Sequence, residues 1–217
     1  MQKYNLSIPG WMYEQELKIL SVLAGYVPEN SSILEVGCFL GSSTTALYRS
    51  KLSSVSMDVV DCFRGFRNPE MINKPFNQLH FTAGDINLYE DAKKVAIASG
   101  WHQAFRFCIG EEMYNDITIH PVTSVDFVKN KPYNLTFIDA SHTLEDVTHD
   151  INKFTGDDNL LVGDDFHPWY NGVPTALNQT RNKKTLIVFE NTKLWALVPK
   201  TGYWREVFKN NNLLFLN

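Results

Sequence analysis

The 217-residue chain is 44% hydrophobic and 20% charged, ordinary values for a globular domain, and its formal net charge is −4 with no long basic block. A basic stripe of the kind that nucleic-acid surfaces carry is therefore excluded, and no apolar run approaches the ~20 residues of a membrane span. The length suits a single domain, residues 1–217, burying about 70% of its unfolded surface. Cys38, Cys62 and Cys108 lack metal-ligand spacing and read as small buried hydrophobes in a reducing, cytoplasmic setting.

Leu17, Leu20, Leu23 and Ala24 recur at helical spacing and predict a first helix from about 11 to 26. Strands and helices then alternate. Strands are predicted at 32–36, 55–60, 117–120, 134–138 and 160–162, with helices at 43–49, 92–99, 144–154 and 173–180. Two extended runs, 185–189 and 194–198, flank Glu190-Asn191-Thr192-Lys193 and read as an antiparallel pair. The alternation implies an α/β open sheet, mainly parallel and covered on both faces, with one reversed strand at an edge. Residues 62–81, rich in aromatic and basic side chains (Phe63, Arg64, Phe66, Arg67, Phe76), form a long loop that is either a packed apolar flap or an active-site lid.

The most informative stretch is Ile33-Leu34-Glu35-Val36-Gly37-Cys38-Phe39-Leu40-Gly41-Ser42-Ser43. An apolar run ends in an acid, passes through a glycine-bracketed turn and enters a helix, which brings backbone N–H groups and a helix N-terminus close to a ligand. Its Gly37-x-x-x-Gly41 spacing is not that of a dinucleotide loop. Glu35 faces the loop in this reading, where it repels a pyrophosphate but suits a cationic amino-acid end. Asp61 ends the next strand, 24 residues after Gly37, about where such sheets place an acid on ribose hydroxyls. Asp58 competes for that role.

These residues resemble motif I of the class I S-adenosylmethionine-dependent methyltransferases, preceded by a similar Pro9-Gly10-Trp11 segment. The resemblance implies a Rossmann-like doubly wound, mainly parallel seven-stranded sheet with one antiparallel edge strand. It implies that Glu35, Gly37, Cys38, Phe39, Gly41, Ser42 and Ser43 embrace the methionyl part of S-adenosylmethionine. Asp61 would bind its ribose, Thr123 and Ser124 would lie near the adenine, and Asp139 would border the same ligand.

Phe137-Ile138-Asp139 and Leu161-Val162-Gly163-Asp164-Asp165 put three carboxylates at adjacent strand ends, where they repel unless protonated or neutralised by a cation. With His142, Glu145, Val147 and Asp150-Ile151, the layout is similar to a metal-dependent O-methyltransferase branch that includes natural-product sugar O-methyltransferases. That resemblance implies Asp139, Asp164 and Asp165 as ligands of Mg²⁺ (or Mn²⁺ or Ca²⁺) and a sugar or other small-molecule hydroxyl as acceptor; charge and hydropathy predict no nucleic acid or membrane partner. Ala140-Ser141 stands where many members carry a second acid that can serve as base. His167, two residues past Asp165, is read as the base instead, with His142 as second candidate and first as a structural hydrogen-bonding group. Trp169 and Tyr170 either wall the acceptor pocket or cap the sheet. The aromatic tail, including Leu213 to Leu216, covers a sheet edge or a second copy in a homo-oligomer. Two other readings stay open: a non-catalytic module that binds the nucleoside, and a hydroxylase-like member of the branch in which His142 and His167 hold iron.

Overall fold

The computed structural model describes residues 4–66, 68–180, 184–211 and 213. Arg67 of the long loop and residues 214–216 of the tail lie outside them. Helix α1 (Glu14–Gly25) precedes β1 (Ser32–Val36), α2 (Ser42–Tyr48) and β2 (Ser56–Val60). The next helical stretch is α3 (Ile86–Ser99), α4 (Trp101–Ile109) and α5 (Glu111–Asp116), and it leads into β3 (Thr118–His120). Then come β4 (Leu135–Ile138), α6 (Leu144–Phe154), β5 (Leu160–Gly163), α7 (Gly172–Thr180), β6 (Lys184–Val188), β7 (Trp195–Pro199) and α8 (Tyr203–Asn210). None of the described helices is long and apolar enough to cross a membrane.

The seven strands run in the order β3-β2-β1-β4-β5-β7-β6. β1 pairs parallel with β2 and β4, and the parallel run extends to β3 on one side and β5 on the other. The reversed strand is β7, antiparallel to both β5 and β6. It therefore sits one place inside the edge. This arrangement brings the β6–β7 turn to the carboxyl ends of the parallel strands, which bears directly on the site.

Side chains alternate faces along each strand. Ile33, Val59, Phe137 and Val162 pack with α1, α2, α4 and α8 residues such as Leu20, Leu47, Phe105 and Phe208. Leu34, Val60, Ile138 and Leu161 pack on the other face with Val147, Ile151 and Leu177 of α6 and α7. Strands covered on both faces have no polar side to show, so β1, β4 and β5 are buried throughout.

Over its described residues, the 62–81 segment packs through two of its side chains and borders the cavity described below. It folds through two 3₁₀ turns, Pro69–Asn73 and Phe76–Gln78. Phe66 and Leu79 sink into a third cluster with Ile8, Leu40, Tyr89 and Ala104. Trp11 Nε1 donates to the Leu79 carbonyl at 3.0 Å and its ring lies 4.8 Å from that of Phe81, tying the N-terminal segment to the flap. Helix α3 begins earlier than its apolar spacing predicts, because Asp85 caps it by accepting from Asn87 N and Leu88 N. The two helices that follow it, α4 and α5, are marked off at Gly100 and Gly110 and were not visible as separate periods.

The β1–α2 junction is built from Glu35 and Gly37. Gly37 has φ +87°, and a Cβ there would lie 2.2 Å from the Asp139 carbonyl oxygen, so only glycine lets the loop close on the end of β4. Glu35 is fully buried and accepts from Ser43 Oγ at 2.5 Å and Thr44 Oγ1 at 2.6 Å. It holds the first turn of α2 to β1. Burial raises its carboxyl to about 7, against the lowering effect of the two hydroxyls.

A raised carboxyl favours the folded state while protonated. Its contribution is fully present below the ordinary value of 4.5 and is lost as pH rises through about 7. Glu35→Gln should therefore match the wild type in urea unfolding at pH 4.5 and exceed it by about 3 kcal/mol at pH 8. An equal difference at both pH values would refute the ionisation argument.

Candidate active site

A cavity of about 1610 Å³ opens along the carboxyl ends of the parallel strands. One end is formed by the β1–α2 loop, Asp61 and residues 122–125; the other by Asp139, His142, Asp164, Asp165, His167 and Lys193. Phe63, Arg64 and Phe66 of the flap and Trp11 of the N-terminal segment close the side.

At the first end, Asp61 Oδ2 accepts from Cys38 N at 2.9 Å and Phe39 N at 3.3 Å, and Oδ1 accepts from Phe63 N at 2.6 Å. One carboxylate thus ties the glycine loop to the start of the flap. A carboxylate has about four acceptor positions. Three are taken, which leaves room for one ribose hydroxyl where two were expected. Asp58 is removed as a competitor: it is buried among Lys131 Nζ at 2.7 Å, Tyr133 Oη at 2.9 Å and His120 Nε2 at 3.1 Å. Thr123 and Ser124 line the cavity. Lys153 of α6 fixes this wall by donating to the carbonyls of Ser124 and Val125 at 2.7 and 2.8 Å.

Three expectations are corrected here. Glu35 does not face the loop's ligand side; it lies beneath the loop, its oxygens spent on Ser43 and Thr44, and is not on the cavity wall. Gly41 is also off the wall and packs toward Ile109 and Phe105. Gly37, Cys38, Phe39, Ser42 and Ser43 do line the cavity. Cys62 is exposed and on the wall, unlike buried Cys38 and partly buried Cys108, because the chain leaves the sheet directly after Asp61.

At the second end, Gly163 makes room for Trp195, whose ring would meet a Cβ at 2.2 Å, and the Trp195 indole N–H donates to the Asp164 carbonyl at 2.9 Å. The backbone then turns sharply. Buried Asp165 sits at φ +63°, a left-handed conformation that is uncommon outside glycine and concentrates at functional sites. Its Oδ2 lies 2.6 Å from His142 Nε2. This close contact holds the His142 imidazole at the cavity. His167 lines the cavity too, but its Nδ1 accepts from Trp169 N at 3.3 Å and caps a short 3₁₀ turn. Trp169 is 86% exposed at the rim, so it does not cap the core.

The residue that sequence reasoning missed is Lys193. Its ammonium lies 2.8 Å from Asp164 Oδ2 and 3.1 Å from Asp165 Oδ1. Burial opposes its charge, but Asp164 and Asp165 outweigh that and hold the ammonium above the ordinary lysine range. Burial pushes Asp165 up, yet His142 and Lys193 bring it below the ordinary carboxylate range. Asp139 is pushed well up by burial and then by the charges of Asp164 and Asp165. Asp164 is also raised, chiefly by burial, and its Oδ1 is buried with no hydrogen-bond partner.

Tested against these contacts, the expected ligand set Asp139, Asp164 and Asp165 does not fit one divalent cation, because Lys193 already joins two of its members. Among the described residues the donor atoms that converge, all within 4.8 Å of one another, belong to Asp139, His142 and Asp165. In that group too, Asp165 is already engaged by His142 on one oxygen and by Lys193 on the other.

No family model matches the sequence, and no curated protein matches it. Solved structures do match. A Corynebacterium glutamicum protein superposes with a TM-score of 0.58 at 10% identity, over 90% of this chain and 85% of its own. A Bacillus cereus O-methyltransferase in complex with S-adenosylhomocysteine gives 0.52 at 14% identity, covering 85% and 81%. The S-adenosylhomocysteine-bound methyltransferase PaMTH1 of Podospora anserina gives 0.51 at 14%, covering 85% and 78%. At these identities the likeness is one of fold: the chain shares with these proteins a seven-stranded, Rossmann-like sheet.

Proposed function

We propose that this chain is an S-adenosylmethionine-dependent O-methyltransferase acting on a hydroxyl of a sugar or another small molecule. The observation that carries the reading is a single cavity with two unlike ends: a glycine loop and a ribose-type acid at one, an acid–histidine–lysine cluster at the other. At about 1610 Å³ it exceeds the roughly 300–1,000 Å³ of a one-ligand pocket and suits a nucleoside and an acceptor side by side. The neighbours bound to S-adenosylhomocysteine support the same assignment.

The residues present fit the nucleoside. Asp61 offers one free acceptor position to the ribose, residues 122–124 offer a wall to the adenine, and Gly37 to Phe39 with Ser42 border the methionyl part. When bound, S-adenosylmethionine supplies a methyl group on a positively charged sulfur that departs as a neutral thioether. The protein's part is alignment and proton removal. With Nε2–H on Asp165, the other ring nitrogen of His142 is an acceptor and takes the proton of the attacking hydroxyl. Exposed Trp169 offers a flat face to an acceptor ring. The divalent cation implied by the resemblance forms no part of this reading, since Lys193 holds Asp164 and Asp165.

The two competing readings are less well supported. A binding module has no use for a strained Asp165 oriented on a histidine. The two-histidine iron site lacks its second member, because His167 is absent from the converging group.

Asp61→Ala should weaken S-adenosylhomocysteine binding at least tenfold by calorimetry, as it removes both the ribose contact and the loop tie; unchanged affinity would take Asp61 out of the site. His142→Ala should lower kcat about 10²–10⁴-fold while retaining nucleoside affinity, and His167→Ala should fall short of tenfold. The reverse ranking in single-turnover kinetics would return the base role to His167.

A further inference from the structure

We infer that the ammonium of Lys193 takes the place of the divalent cation at the acceptor end, so that methyl transfer here runs without a metal. The inference rests on reading this cluster as the acceptor end of the proposed methyltransferase site.

Three observations carry it. First, the ammonium bridges two of the carboxylates a metal would need, at 2.8 Å from Asp164 and 3.1 Å from Asp165. Second, the residue is held from behind. Its backbone N donates to Glu16 Oε1 at 2.8 Å, while Glu16 Oε2 accepts from Tyr13 N at 2.7 Å. Glu16 is fully buried, so α1 clamps the β6–β7 turn and Lys193 cannot simply swing away with a loose loop. Third, the side chain is 19% exposed and lines the cavity. An ammonium has three N–H donors. Two point to Asp164 and Asp165, and the third is available to an acceptor oxygen as it loses its proton.

A cation on Asp139, His142 and Asp165 would share the Asp165 carboxylate with this ammonium and be repelled by it. The lysine is covalently attached, so it offsets part of the charge of Asp164 and Asp165 without recruitment from solution. It also offers a directed donor where a metal would offer a Lewis acid. The proton still leaves the acceptor for His142, and the charge on the developing alkoxide is met by Lys193.

The test is a calorimetric titration with Mn²⁺, run on wild type, Lys193→Met and Lys193→Arg, with thermal melts to check folding. Wild type should show no one-to-one Mn²⁺ binding up to millimolar concentration, and Lys193→Arg should behave alike. Lys193→Met should bind Mn²⁺ at least tenfold more tightly than wild type. Methyl transfer by wild type should be the same in EDTA as in Mg²⁺. Micromolar Mn²⁺ binding by wild type that is lost in Asp165→Asn, activity lost in EDTA, or no gain of Mn²⁺ binding by a folded Lys193→Met would each overturn the inference. S-adenosylhomocysteine binding is measured in the same samples. Its absence from all of them would sink the methyltransferase reading separately, leaving the Mn²⁺ result to judge the cation site.

Discussion

The ammonium of Lys193 between Asp164 and Asp165 is the interaction on which the acidic end of the cavity depends. Three carboxylates at neighbouring strand ends repel one another, and in a partly buried crevice that repulsion is poorly screened. One internal cation opposes it at the two most buried members, Asp164 and Asp165, yet burial still leaves Asp164, like Asp139, holding its proton more tightly than an ordinary carboxyl. Asp165, drawn the other way by Lys193 and His142, keeps its charge and can orient the imidazole. The division of labour among the acids thus follows from where a single lysine sits.

The position of that lysine follows from the sheet. Because β7 runs antiparallel between β5 and β6, the β6–β7 turn returns to the carboxyl edge, beside the end of β5. Glu16 then fastens the turn to α1 through the Lys193 backbone. Its carboxyl is raised to about 7, by burial first and by the nearby charge of Asp164 second, so the clamp is itself part of the crevice's charge balance. At the glycine-loop end the corresponding fastening is Asp61, which gathers the loop after β1 and the start of the flap with three backbone hydrogen bonds. Both ends are organised by acids whose partners come from distant parts of the chain.

Much of this was legible in the sequence where a signal is local. The strands at 32–36, 134–138 and 160–162 are apolar runs with turn residues after them, and α6 has the 144–154 bounds that the sequence predicts, with Thr143 as its cap in the structure. The acids at strand ends were found for the same reason. What was not legible depends on pairing across the fold. Glu35 was read as facing a ligand, because nothing local says that the hydroxyls of Ser43 and Thr44 reach back to it. Asp164 was read as a metal ligand, because Lys193 is 29 residues away and lies in what looked like an ordinary hairpin turn. The placement of β7 inside the edge was the one topological clue that could have brought Lys193 to the crevice. The contact between His142 and Asp165 is hidden for a related reason: Asp165 sits in an uncommon backbone conformation.

The account as a whole is tested most directly by a crystal structure of the protein grown with S-adenosylhomocysteine and Mn²⁺, with anomalous scattering recorded at the manganese edge. It predicts the nucleoside against Asp61 and residues 122–124, Lys193 on Asp164 and Asp165, and no manganese peak among Asp139, His142, Asp164 and Asp165. A nucleoside bound elsewhere, or a manganese ion with Lys193 displaced from the two acids, would contradict it.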